Sequence, residues 1–156
     1  MKICFVIPTF NDEASLKKLI DNINKELISF TLNFIIVDDC SEDDYKTLPS
    51  VHKIELIKLK KNQGSQKAIS IGLQHAKDKN LEFDYLIVMD SDGEDRPADL
   101  QLLISEARKK NDNYIIFASR KKRMEAFTFK FFYFFYKFAF KVLTGKKIIT
   151  QRRLLK

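Results

Sequence analysis

Apolar residues recur along the first 118 positions in two alternating periods. Residues 3–7 form a short apolar run that stops at Pro8. Residues 14–28 then place Leu16, Leu19, Ile20, Ile23 and Leu27 at helical spacing. Residues 34–37 are a second apolar run, closed by Asp38 and Asp39. Ile54, Leu56, Ile57 and Leu59 give an imperfect strand pattern, and residues 65–78 read as a helix through Ala68, Ile69, Ile71, Leu73 and Ala76. Residues 85–89 are a third buried run, ended by Asp90. Residues 97–110 read as a helix with Pro97 in its first turn, where the missing N–H costs nothing, and residues 114–118 read as the last strand. Short continuous apolar runs suit strands buried on both faces, and the 3.6-residue period suits helices laid over them. Their alternation predicts an α/β domain with a mainly parallel sheet and helices on both faces.

In such a sheet, ligands bind beyond the carboxyl ends of the strands. Two acidic clusters follow strands directly: Asp38-Asp39, and Asp90-Ser91-Asp92-Gly93-Glu94-Asp95 with four carboxylates in six residues. The segment from Pro8 to Glu13 follows the first strand and belongs to the same rim. Crowded carboxylates repel and raise one another's pKa unless a cation intervenes. A hard divalent ion, Mg²⁺ or Mn²⁺, relieves that repulsion through one or two carboxylates and a substrate's phosphate oxygens. A calcium EF-hand is excluded by register, because Gly93 falls at loop position four rather than at the position that makes its sharp turn. A solvated acidic turn is the plain alternative for this run, and a turn or helix N-cap is the alternative for Asp38-Asp39. Asn62-Gln63-Gly64 offers backbone N–H groups before a helix. A Gly-rich phosphate loop is absent.

Charge changes the picture at the far end. The 156 residues carry a net charge of +7. Residues 1–125 hold 20 Lys+Arg against 21 Asp+Glu, whereas residues 126–156 hold 8 Lys+Arg and no acid. The excess belongs to the tail, which argues against a basic nucleic-acid-binding fold. Residues 127–143 contain 8 of the 14 Phe, and Lys130, Lys137 and Lys141 fall in a stripe roughly 40° wide on a helix of about 25 Å. A mid-helix Lys costs roughly 2.5–3.5 kcal/mol to insert, so lying in the membrane interface suits this amphipathic helix better than spanning. Packing on the sheet, or a homo-oligomer contact, is the alternative. Cys4 and Cys40 lack zinc-like or disulfide-framework spacing and read as reduced thiols.

Together these segments resemble family 2 glycosyltransferases with the GT-A nucleotide-sugar fold. Within them the sequence is most similar to the polyprenyl-phosphate branch, the dolichol-phosphate mannose synthase-like enzymes. The match runs through Val6-Ile7-Pro8-Thr9-Phe10-Asn11-Asp12, Ile36-Val37-Asp38-Asp39-Cys40-Ser41, Asn62-Gln63-Gly64, Met89-Asp90-Ser91-Asp92-Gly93-Glu94-Asp95-Arg96-Pro97 and Ala118-Ser119-Arg120-Lys121-Lys122-Arg123. The resemblance implies that Pro8, Thr9, Phe10, Asp12, Asp38, Asp39, Asn62, Gly64, Asp90 and Ser91 bind the nucleotide. It implies that Asp90, Asp92 and Glu94 meet a Mg²⁺ or Mn²⁺ ion, and that Asp92, Asp95, Arg120 and Arg123 serve catalysis, the arginines by contacting phosphate. The implied reaction is inverting transfer of a sugar from a UDP- or GDP-linked donor to a polyprenyl phosphate, with the enzyme peripheral on the cytoplasmic face of the membrane. Departures from the usual pattern are Asp12 for Glu, Gly93-Glu94 for Leu-Gln, Arg96 for the first of two prolines, and Ala118 for Gly.

The implied organisation is a nucleotide-sugar-binding domain over residues 1–123, the interface helix region over 124–145, and a basic tail over 146–156. The family continues with an acceptor-side segment that is not in this sequence, so a truncated chain that binds but does not turn over is the competing expectation. A haloacid dehalogenase-type phosphatase, suggested by Met89-Asp90-Ser91-Asp92-Gly93, fits less well. Its nucleophile strand opens the domain, and too few residues follow Asp90 here for its later motifs.

Overall fold

The computed structural model describes residues 1–45, 48, 53–109 and 115–116. Four strands form one parallel sheet: β1 (Lys2–Thr9), β2 (Thr31–Asp38), β3 (Lys53–Lys58) and β4 (Tyr85–Val88), in the order β3-β2-β1-β4. Helix α1 (Glu13–Glu26) follows β1, α2 (Ser65–Asp78) follows β3, and α3 (Leu100–Arg108) follows β4 after one 3₁₀ turn at Pro97–Asp99. The described residues belong to a compact unit, Met1–Ile116. This is the α/β sheet that the alternating periods predict.

β1 and β2 run through the middle of the sheet and are buried on both faces. That explains their unbroken apolar runs. Ile3, Phe5, Ile7, Phe34 and Ile36 pack with Leu16, Leu19, Ile20 and Ile23 of α1 and Leu100 and Ile104 of α3. The alternate residues Cys4, Val6, Ile35 and Val37 face Ala68 and Ala76 of α2. Phe5 and Phe34 sit opposite each other in register and stack with ring centroids 5.3 Å apart. Each such fully buried Ile, Leu or Phe contributes about 1.5–3 kcal/mol of transfer free energy. Burial also pushes the Cys4 thiol up to about 11, so it behaves as a small apolar side chain.

Two helix boundaries have local causes. Asp12 caps α1, its Oδ1 accepting the Ser15 N–H at 3.2 Å; the carboxylate satisfies one of the orphan donors of the first turn. Helix α2 ends in a Schellman motif. Asn80 takes a left-handed φ of 46°, Leu81 N–H bonds Ala76 carbonyl at 3.2 Å, and Asn80 N–H bonds Lys77 carbonyl at 3.0 Å. Gly72 lets α2 approach closely. A Cβ there would stand 2.5 Å from Val6 Cγ1 and 3.1 Å from Val37 Cγ2.

The expected helix over residues 97–110 divides. Pro97 opens the 3₁₀ turn and the α-helical part spans Leu100–Arg108. Of the strand expected over residues 114–118, only Ile115 and Ile116 are described, and neither is in a strand. The expected interface helix over residues 127–143 and the basic tail lie outside the described residues. No helix among the described residues is long and apolar enough to cross a membrane.

Candidate functional site

Because all four strands are parallel, the segments after β1, β2 and β4 leave the sheet at one edge. Asp39 N–H donates to the Thr9 carbonyl at 2.8 Å and Met89 N–H to the Val6 carbonyl at 3.2 Å. The β1–β2 and β1–β4 ladders thus continue past the ends of the strands and hold the three loops side by side. Between them lies an open cleft of about 290 Å³, lined by Pro8, Thr9, Phe10, Asp39, Ser65, Asp90, Ser91 and Asp92.

Asp39 is the most constrained of these. It is only 3% exposed. Its Oδ1 accepts the Gln63 N–H and its Oδ2 the Gly64 N–H, both at 2.7 Å. Gly64 supplies the turn with φ of 85°, a conformation that favours glycine. The N–H groups of Gln63 and Gly64, which the sequence offers to a ligand, are therefore directed at Asp39. Each carboxylate oxygen keeps a second lone-pair site for a donor in the cleft. The same clamp brings Ser65, the first residue of α2, to the cleft wall. No local pattern singled out Ser65, because its place depends on a contact between loops 24–25 residues apart.

Phe10 follows β1, the strand between β2 and β4, and is 48% exposed, an apolar ring left in solvent beside polar groups. Asp90 and Asp92, after β4, bring two exposed carboxylates to the cleft, with buried Ser91 between them. The turn that carries them is internally braced. Asp92 Oδ1 accepts the Glu94 N–H at 2.8 Å, and Asp95 Oδ2 accepts the Asp90 N–H at 3.2 Å. Asp95 thus shapes the turn, and neither it nor Glu94 lines the cleft.

Other expected site residues stand elsewhere. Asp38 is fully buried. Its Oδ1 accepts the Ser41 N–H at 2.9 Å, and Lys58 Nζ lies 3.7 Å from its Oδ2. Asp12 caps α1 and lines a second depression of about 470 Å³ with Asn11, Glu13, Ala14, Lys17 and Asp43. Asn62 is exposed, outside the cleft lining, and Gly64 serves through its backbone. Arg120 and Arg123 lie outside the described residues.

Beneath Thr9 and Phe10 lies a hydroxyl cluster that sequence reading missed. Tyr45 Oη is 2.8 Å from Ser41 Oγ and 3.3 Å from Thr9 Oγ1, and Ser41 Oγ accepts the Asn11 N–H at 2.7 Å. All three hydroxyl-bearing side chains are buried.

Two carboxylates beside a cleft with further oxygen donors can hold a hard divalent ion whose remaining ligands come from a bound phosphate or water. Among the described residues no three His, Cys, Asp or Glu side chains gather as a self-sufficient metal site. Asp90 and Asp92 are oxygen donors of the kind that Mg²⁺ or Mn²⁺ takes. The sequence matches the glycosyl transferase family 2 over residues 4–154. The chain belongs to that family. Among relatives of this family 2 chain, a dolichol-phosphate mannosyltransferase of Pyrococcus furiosus is 28% identical over 72% of the chain and 32% of its own length. A UDP-N-acetylglucosamine–dolichyl-phosphate N-acetylglucosaminyltransferase of Methanococcus voltae is 28% identical over 80% of the chain and 54% of its own. The chain therefore spans between about a third and about half of these relatives. Staphylococcus aureus TarS 1–349, solved in complex with UDP, shares the GT-A fold with a TM-score of 0.52 and 24% identity, covering 70% of this chain and 32% of that one.

Proposed function

We propose that this chain binds a UDP- or GDP-linked sugar in the cleft and supplies the donor side of an inverting transfer to a polyprenyl phosphate. The observation that carries this reading is the cleft itself. An exposed aromatic ring, a buried carboxylate and a pair of exposed carboxylates meet at the carboxyl ends of β1, β2 and β4. The relatives named for transfer to dolichyl phosphate support the acceptor class.

In this reading Pro8, Thr9 and Phe10 form the wall for the base, and Asp39 accepts a hydrogen bond from the base or ribose through its open lone pairs. Asp90 and Asp92 hold the Mg²⁺ or Mn²⁺ ion, with Glu94 adding negative charge nearby. When bound, that ion neutralises charge on the departing nucleoside diphosphate. The attacking group is a lipid phosphate oxygen, already ionised near neutral pH, so little help from a general base is needed. Arg120 and Arg123 carry the complementary role of meeting phosphate by bidentate contact. Residues 127–143 hold the protein at an anionic membrane surface, each Lys contributing about 1 kcal/mol there.

Isothermal titration with UDP, GDP and UDP-N-acetylglucosamine in the presence of Mn²⁺ tests the donor half. Binding of at least one nucleotide, weakened by Asp92→Ala, is expected. Absence of heat with every nucleotide sinks the proposal.

A further inference from the structure

We infer that Tyr45 is a positioning residue for the nucleoside end of the cleft, acting through the backbone on both sides of Phe10. This rests on the reading that a base packs against Phe10. Phe10 itself is 48% exposed. Its position depends on Thr9 and Asn11, the residues flanking it in sequence.

Both are tied to the loop after β2. On one side, Thr9 Oγ1 meets Tyr45 Oη at 3.3 Å, and the Thr9 carbonyl accepts the Asp39 N–H at 2.8 Å. On the other, Asn11 N–H donates to Ser41 Oγ at 2.7 Å while Asn11 Oδ1 accepts the Glu42 N–H at 2.9 Å. The Tyr45 hydroxyl joins these two ties, because it also bonds Ser41 Oγ at 2.8 Å. A phenol donates one hydrogen bond and accepts another, so one oxygen can serve Thr9 and Ser41 together. Tyr45 is 5% exposed, and Thr9 and Ser41 are likewise buried. Removing that oxygen leaves two buried hydroxyls short of a partner.

Backbone conformation agrees with a device held under constraint. Asn11, Cys40 and Tyr45 have φ values of 49°, 72° and 51°, the left-handed region that side-chain-bearing residues occupy at a cost. Such residues persist where the surroundings over-determine them. The cluster lies on the Phe10 side of the cleft. Its described hydrogen bonds run among Thr9, Asn11, Ser41, Glu42 and Tyr45, so the clamp acts on the nucleoside end of the cleft.

The test compares two ligands on the full chain in Mn²⁺: the nucleoside diphosphate that wild type binds best, and inorganic pyrophosphate. Tyr45→Phe keeps the ring and removes the oxygen. Its dissociation constant for the nucleoside diphosphate is expected to rise about tenfold, the scale of one net hydrogen bond, with pyrophosphate binding unchanged. Equal nucleotide affinity in wild type and Tyr45→Phe overturns the inference. So does a parallel loss of both ligands, which marks a general structural role. If Tyr45→Phe does not fold, Ser41→Ala removes the same bond from its other end, together with the acceptor of the Asn11 N–H, and is judged by the same two ligands. Wild type that binds pyrophosphate but no nucleotide overturns the underlying nucleotide reading instead, a result visible before any variant is compared.

Discussion

Asp39 commits both carboxylate oxygens to backbone N–H groups of the turn before α2, so it shapes the cleft as well as lining it. Asn at this position keeps the shape but turns one oxygen into an NH₂ group that faces an N–H donor. Asp39→Asn is expected to lower unfolding free energy by about 1–3 kcal/mol, the cost of leaving one charge-assisted partner unmet, in a denaturant titration. It should weaken nucleotide binding at the same time; stability equal to wild type would show that the turn does not depend on the carboxylate. Asp38, its neighbour in sequence, has the opposite orientation and is buried against Ser41 N–H and Lys58. Two adjacent Asp after a strand can be seen in the sequence, but side-chain alternation along the extended chain sends them to different places. The resemblance makes Asp12 a nucleotide-binding residue, and its capping bond to Ser15 is what the structure adds. Ser65 and Tyr45 were not legible, since each gains its place from residues distant in sequence.

At the level of elements, α2 is the most exacting fit. Ala68, Gly72 and Ala76 form its buried stripe, and small residues at this spacing set how near the helix lies to β1 and β2. Gly72→Ala improves helix propensity by about 1 kcal/mol, yet its methyl group would meet Val6 and Val37 side chains. Overpacking of this kind costs typically about 1–3 kcal/mol, so the thermal midpoint is expected to fall; a higher midpoint would mean that the sheet yields easily. A second tie joins α2 to the edge strand β3. His75 Nε2 lies 2.6 Å from Glu55 Oε2, and Lys53 Nζ lies 2.9 Å from Oε1. The His75 hydrogen bond, then Lys53, hold the Glu55 carboxyl below its ordinary 4.5. A carboxyl with a lowered folded pKa stabilises the fold above its unfolded pKa, and that contribution is lost as pH falls through the folded value. Glu55→Gln should therefore cost on the order of 1 kcal/mol at pH 7, a penalty that shrinks as pH falls below the ordinary carboxylate range. A penalty independent of pH would assign the loss to packing. The strands and helices were legible because burial on both faces leaves apolar runs and stripes. The break at Pro97–Asp99 was less so: proline allows either helix type in the first turn, and the choice depends on how Leu100 and Ile104 reach the core.

For the whole molecule, a nearly neutral body carries its cleft carboxylates on one edge, and the cationic excess belongs to residues 126–156. Vesicle co-sedimentation of the full chain should rise with the fraction of anionic lipid and fall between low and high salt, as screening shortens the range of charge attraction. Removing residues 126–156 should abolish both dependences; binding indifferent to lipid charge and salt would leave only apolar contact. The parallel sheet has a further consequence. Its other edge, where α1 and α2 return to β2 and β4, contributes nothing to the cleft; the turns there are residues 27–30 and 79–84, and Ile28 is 89% exposed. Turns with solvent-facing tips are where added sequence is tolerated best. The protein can therefore be labelled, tethered or lengthened after Ile28 while the cleft stays open, which makes this edge the natural attachment point for a sensor of the proposed nucleotide capture.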